Sequence, residues 1–314
     1  MVEYDALGSV WRPYLMYFHT PNFAGRIVNT DAEGFRYSTF NDHRVSPTCL
    51  IADQEHHVLV GGSTAFGVGA ESDDATIASH LARETQAPWL NMAGRAFSSV
   101  QEYLLFAAYQ TDLPRLGTIV ILSGFNNLFL AQRSLPFDPP LGSFFYQQAF
   151  HNGMETGSAT RLQLLRRALF GARPSATHQQ RELSDATQLA VDLTRRSLEW
   201  WSFIANARGV RVVYALQPTA HWSSRKPHPK ETALFELLEQ IDPALSATLT
   251  KLDACYDQYQ AKLHRACADL GITFIDVNEL LRHKNSASEW WHVDRVHYTN
   301  VGNQQIASAL SAKL

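Results

Sequence analysis

The chain has 314 residues, 45% hydrophobic and 18% charged, with a formal net charge of −3. That balance suits a folded domain with its own core and argues against the basic footprint of a nucleic-acid binder. Its three cysteines, Cys49, Cys255 and Cys267, form no C-x-x-C pair and read as reduced, structural thiols.

Met1 to Val10 carries acidic residues and no apolar stretch of signal-peptide length. No run of about 18 apolar residues follows, so no membrane span is expected. The expectation is a cytoplasmic protein. Residues 1–50 differ from the rest and read as an N-terminal extension packed on a core domain of 51–314. Within the extension, residues 26–30 and 35–37 read as two short strands around an Asp31–Gly34 turn.

A different rhythm begins at His57. The apolar run Val58–Val60 stops at Gly61-Gly62, and a helix is expected over 75–84. Residues 89–91 read as a second strand, 98–110 as a helix, and 118–122 as a third strand ending at Ser123-Gly124. Residues 184–207 form a helical pattern with Gly209 as its stop. A fourth strand is expected at 210–216, a helical region broken near Asp242-Pro243 over 231–270, and a fifth strand at 272–275. The last helix starts near Thr299. Apolar runs alternating with helices predict a parallel five-stranded sheet covered on both faces, a three-layer α/β/α sandwich. The connection at about 128–180 is longer than a crossover needs. Its Pro136, Pro139 and Pro140, among Phe129, Phe137, Phe144, Phe145 and Tyr146, suggest either a lid over a cleft or a packed surface insertion.

Two segments carry chemistry. Gly61-Gly62-Ser63-Thr64 puts a serine at the carboxyl end of the first core strand, where open α/β sheets bind ligands. Asp294-Arg295-Val296-His297 sets a carboxylate three residues before a histidine. That spacing lets Asp294 fix the ring tautomer and leaves the other nitrogen to take a serine proton.

With these segments in place the chain resembles the SGNH (GDSL-like) hydrolase superfamily. Gly61–Thr64 is similar to its nucleophile block, Asn91-Met92-Ala93-Gly94-Arg95-Ala96-Phe97-Ser98 to its second block, and Ser123-Gly124-Phe125-Asn126-Asn127 to its third. Asp294–Thr299 is similar to the last block. The resemblance implies a flavodoxin-like fold, with Ser63 as nucleophile and Asp294 and His297 completing the triad. It also implies oxyanion donors at the Ser63 amide, the Asn126 side chain and a second-block amide. Counted from Asn91, that amide falls on Ala96, with Gly94 as the alternative. The chain departs from the pattern at Gly62, where an acid is usual, at Ala96, where glycine is usual, and at Asn127, where aspartate is usual. Its leader, Arg12–Tyr17 and Pro21–Arg36, resembles those of SGNH proteins from polysaccharide and natural-product gene clusters.

An α/β-hydrolase reading draws on Gly61-Gly62-Ser63-Thr64-Ala65, close to G-x-S-x-G. The serine follows the first core strand, however, and the acid and histidine share one loop, which disfavours it. A metal site from His56, His57, His292 and His297 lacks ligand spacing. His56 and His57 read as a strand start at the surface, and Trp290, Trp291 and His292 as the mouth of the site or as packing. Two functions follow. One is an esterase, deacylase or acyltransferase acting on a small-molecule acyl ester without a cofactor. The other is a catalytically weak relative that binds a small molecule or supports a biosynthetic complex.

Overall fold

The computed structural model describes residues 2–132, 181–282, 284 and 288–314. The chain opens with a short helix, α1 (Val2–Ala6), then two small antiparallel ribbons. β1 (Ser9–Val10) pairs with β2 (Phe18–His19), and β3 (Ser38–Phe40) with β4 (His43–Val45). The strands expected at 26–30 and 35–37 shrink to single bridges, Ala24 with Asn29 and Thr30 with Arg36. The cause lies in Asp31. Its carboxylate accepts the N–H groups of Glu33 and Phe35, each at 2.9 Å, and closes a turn with amides that a ladder would need.

Arg36 ties these residues to the core. It is wholly buried, with its Nε 2.9 Å from Asp73 and its other nitrogens on the Tyr4 hydroxyl and the carbonyls of Ile27, Phe66, Gly67 and Ser72. A buried guanidinium is tolerated only when its donors are met this fully.

The core alternates strand and helix as the apolar runs require. β5 (His56–Gly61) leads through the one-turn helix α2 (Ser63–Phe66) to α3 (Ile77–Thr85). β6 (Trp89–Ala93), α4 (Ser99–Tyr109), β7 (Leu116–Ser123) and α5 (Phe125–Gln132) follow. Beyond the insertion come α6 (Leu183–Arg208), β8 (Val212–Leu216), α7 (Pro229–Ile241), α8 (Pro243–Asp253) and α9 (Tyr256–Asp269). β9 (Thr273–Asp276), α10 (Val277–Arg282) and α11 (Asn300–Ser311) complete the chain. The helical region at 231–270 breaks twice, at Asp242 and again at Ala254-Cys255. The predicted insertion starts inside α5. The rest of it, including Phe137, Phe144, Phe145 and Tyr146, lies outside the described residues.

The sheet order is β6-β5-β7-β8-β9, all parallel. Renumbered within the sheet, this is the doubly wound order 2-1-3-4-5, which gives the predicted flavodoxin-like α/β/α sandwich. β6 and β8 are buried at every position, as expected of parallel strands covered on both faces. α3 packs with α11 in one layer, while α6 packs with α4, α5 and α9 in the other. Gly61 pairs with Ala93 on one side and Leu122 on the other, so β5, β6 and β7 end level. The order reverses between β5 and β7, and the crevice that forms there holds the site. Among the described residues, no helix is long and apolar enough to cross a membrane.

Candidate active site

Ser63 stands one residue beyond β5, half-buried at the head of α2. Gly61 is required by close packing, since a β-carbon there would collide with the Leu122 carbonyl and approach Ala65 to 2.7 Å. At Gly62 an added β-carbon would come within 2.6 Å of Asn126 Nδ2. The missing side chain therefore lets the Asn126 amide sit directly beside the serine. α2 is a single turn, so its dipole adds little to the site.

The loop ahead of α11 brings the histidine to the serine. Ser63 Oγ lies 2.7 Å from His297 Nε2, and Asp294 Oδ2 lies 2.6 Å from His297 Nδ1. Asp294 Oδ1 also accepts the N–H groups of Val296 and His297, each at 2.8 Å. Burial pushes this carboxyl up, but the charge and hydrogen bond of His297 and the two amides prevail and bring it down to about 2. With Nδ1–H directed at Asp294, Nε2 is left to accept the Ser63 O–H.

Two braces fix this loop. The Thr64 hydroxyl donates to the Val296 carbonyl at 2.9 Å and accepts from Gln217 Nε2 at 2.8 Å. Further back, Glu231 Oε1 accepts the N–H groups of Trp291 and His292, each at 2.8 Å, and Arg225 closes on its carboxylate. Burial again opposes ionisation of Glu231, but hydrogen bonding and charge from His292, with backbone donors, hold it at about 2. Trp291 and His292 are thus buried packing elements, 1% and 2% exposed, and do not form the mouth of the site.

On the far side of Ser63, Asn126 Nδ2 donates to the Phe97 carbonyl at 2.8 Å, which leaves its second N–H for another acceptor. Ala96 sits in the left-handed region at φ 57°, a conformation that costs a residue with a β-carbon roughly 1–2 kcal/mol. Its N–H has no partner among the described residues, whereas the Gly94 N–H already donates to the Gly61 carbonyl at 3.0 Å. Beneath them, Asn127 accepts from the Ser99 N–H and donates to the hydroxyls of Ser99 and Thr194 at 2.7 and 2.9 Å. An aspartate could accept there but not donate, which accounts for the amide. Ser123 donates to the buried Glu102 at 2.8 Å, and burial raises that carboxyl to about 8.

Ser63, Ala96, Asn126, Asp294 and His297 line one cavity of about 720 Å³. One wall is apolar, built from Phe125 and Phe129 of α5 and Leu238, Leu245 and Leu249 of α7 and α8. The other comes from the N-terminal residues, including Tyr17 and His19, with Arg95. His56 and His57 lie elsewhere and are not at the surface as expected. His56 is 3% exposed and accepts the Ile51 N–H, while His57 is half-buried and accepts the Thr118 N–H. The contributions of Tyr17, His19, Gln217 and Glu231 had no local sequence signal, since each meets the site across a long stretch of chain.

No protein family profile and no curated protein matches the sequence. Solved structures similar to this chain include an extracellular lipase from Streptomyces rimosus, 15% identical, with a TM-score of 0.47 and coverage of 83% of this chain and 100% of that one. An acetyl xylan esterase is 10% identical, with a TM-score of 0.46 and coverage of 82% and 99%. A phospholipase A1 from Streptomyces albidoflavus is 13% identical, with a TM-score of 0.45 and coverage of 83% and 100%.

Proposed function

We propose that the chain is a serine hydrolase of the SGNH type that cleaves or transfers the acyl group of a small-molecule ester through an acyl-enzyme. The observation that carries this is the unbroken relay from Asp294 through His297 to Ser63, at 2.6 and 2.7 Å. His297 Nε2 takes the proton as Ser63 Oγ attacks the acyl carbonyl, then returns it to the departing alkoxide. Water, or a second alcohol or amine, is activated by the same nitrogen to release the acyl group. Asp294 stays ionised and stabilises the imidazolium formed in each half.

The developing oxyanion is met by the N–H groups of Ser63 and Ala96 and by the free N–H of Asn126. Ala96 is favoured over Gly94 because the Gly94 amide is already committed to a carbonyl. The apolar wall from Phe129 to Leu249 suits the acyl chain. Nothing in these steps calls for a cofactor. The preassembled relay favours catalysis over the ligand-binding alternative.

A fluorophosphonate probe and a short-chain p-nitrophenyl ester test the reading. Wild type is expected to label and to hydrolyse the ester, and Ser63→Ala to do neither. A wild type inert to both would overturn the proposal.

A further inference from the structure

We propose that the N-terminal extension is part of the oxyanion machinery, with Tyr17 and His19 acting as positioning residues for the Ala96 N–H. This rests on the hydrolase reading above. The Ala96 N–H belongs to the peptide joining residues 95 and 96. The peptides before and after it are both gripped by the extension. The Arg95 N–H donates to His19 Nε2 at 3.2 Å, and the Tyr17 hydroxyl donates to the Ala96 carbonyl at 2.8 Å.

The chemistry of each grip is fixed by its surroundings. His19 is 2% exposed, and its Nδ1–H donates to the Gly34 carbonyl at 3.1 Å, so Nε2 is the acceptor. Burial, with the charge of Arg95, holds this imidazole well below its usual range, so it stays neutral and keeps accepting. Tyr17 is buried against Phe97 with ring centroids 5.7 Å apart, which aims its hydroxyl. Gln101 Nε2 adds a bond to the Leu15 carbonyl at 2.7 Å, and Arg95 reaches back to the carbonyls of Tyr4 and Gly8.

A clamp is needed here for a physical reason. Alanine at φ 57° relaxes to negative φ once released, and that rotation swings its N–H away from the hole. Glycine would feel no such bias. The extension carries strain of its own at the same place, since Tyr14 and Met16, either side of Leu15, have φ of 67° and 69°. Strained backbone persists where surrounding contacts over-determine it, and here those contacts converge on Arg95 and Ala96, just ahead of Phe97, Ser98 and α4.

The test compares kcat, KM and thermal melting of wild type, Tyr17→Phe and Tyr17→Phe/Ala96→Gly on p-nitrophenyl acetate. Tyr17→Phe removes one oxygen and is expected to lower kcat by about 10-fold or more, with KM within about twofold and melting nearly unchanged. Adding Ala96→Gly is expected to recover about threefold or more of kcat, because glycine holds the conformation without the clamp. An active wild type whose Tyr17→Phe variant keeps full kcat, or whose double variant is no better than the single, overturns this proposal alone. A wild type that neither labels with fluorophosphonate nor hydrolyses the ester overturns it together with the hydrolase reading.

Discussion

The Thr64 hydroxyl donates to the carbonyl of Val296 at 2.9 Å and so fastens the turn that bears the serine to the loop that bears the histidine. Gln217 completes the joint by donating to the same hydroxyl. Thr64→Val keeps the shape but leaves both partners without their bond. We expect a stability loss of about 1–3 kcal/mol and a fall in kcat of about 10-fold. Denaturant melts and ester kinetics on the same preparation check both.

Asp294→Asn keeps an oxygen for the two loop amides, so the fold should survive, but the imidazole tautomer is no longer fixed. A fall in kcat of roughly 10⁴-fold is expected, with near-native circular dichroism. Because this carboxyl is depressed to about 2, its contribution to stability is present above the unfolded carboxylate range and is lost only as pH falls toward 2. Asp294 therefore stays ionised through any working pH, and Asp294→Asn should depress activity at every pH tested from 5 to 9.

Gly62→Asp places an acidic side chain directly before Ser63. In this chain its β-carbon would meet Asn126 Nδ2 at 2.6 Å and push that amide off the serine. We expect kcat to fall by about 10- to 100-fold with the melting temperature little changed. Steady-state kinetics showing wild-type kcat would refute this placement of Asn126.

Glu102 should govern stability in the opposite sense. Its carboxyl is raised from 4.5 to about 8, so the folded chain holds a proton that the unfolded chain releases. Stability is then full below pH 4.5 and declines as pH rises toward 8, by at most about 4 kcal/mol. Glu102→Gln should flatten that decline. Urea unfolding at pH 5 and pH 8, compared for the two proteins, measures it.

Arg36→Met would leave Asp73 buried without its cation. A loss of about 3–5 kcal/mol is expected. Thermal unfolding gives the answer directly, and a change under 1 kcal/mol would contradict the assigned role.

The sheet was legible because its strands are short apolar runs stopped by glycine or serine, as at Val58–Gly61 and Ile119–Gly124. The relay was legible because Asp294 and His297 are neighbours in sequence and the serine follows a strand. Other features had no such local trace. The separations of 79 positions from Tyr17 to Ala96, and of 76 from His19 to Arg95, carry no periodicity that pairs them. His56 and His57 were misplaced at the surface, because hydropathy does not register that a neutral imidazole can accept a backbone amide inside a core. Residues 26–30 and 35–37 read as strands by composition, yet Asp31 draws the Phe35 amide into the turn between them.

The hydroxyl and the imidazole of the relay come from positions 234 residues apart. Polypeptides leave the ribosome amino end first, and contacts so remote in sequence close late. Ser63, its glycine turn and the N-terminal residues that contact Arg95 and Ala96 are therefore synthesised long before His297. A chain made only as far as α10 holds the serine with no imidazole opposite it.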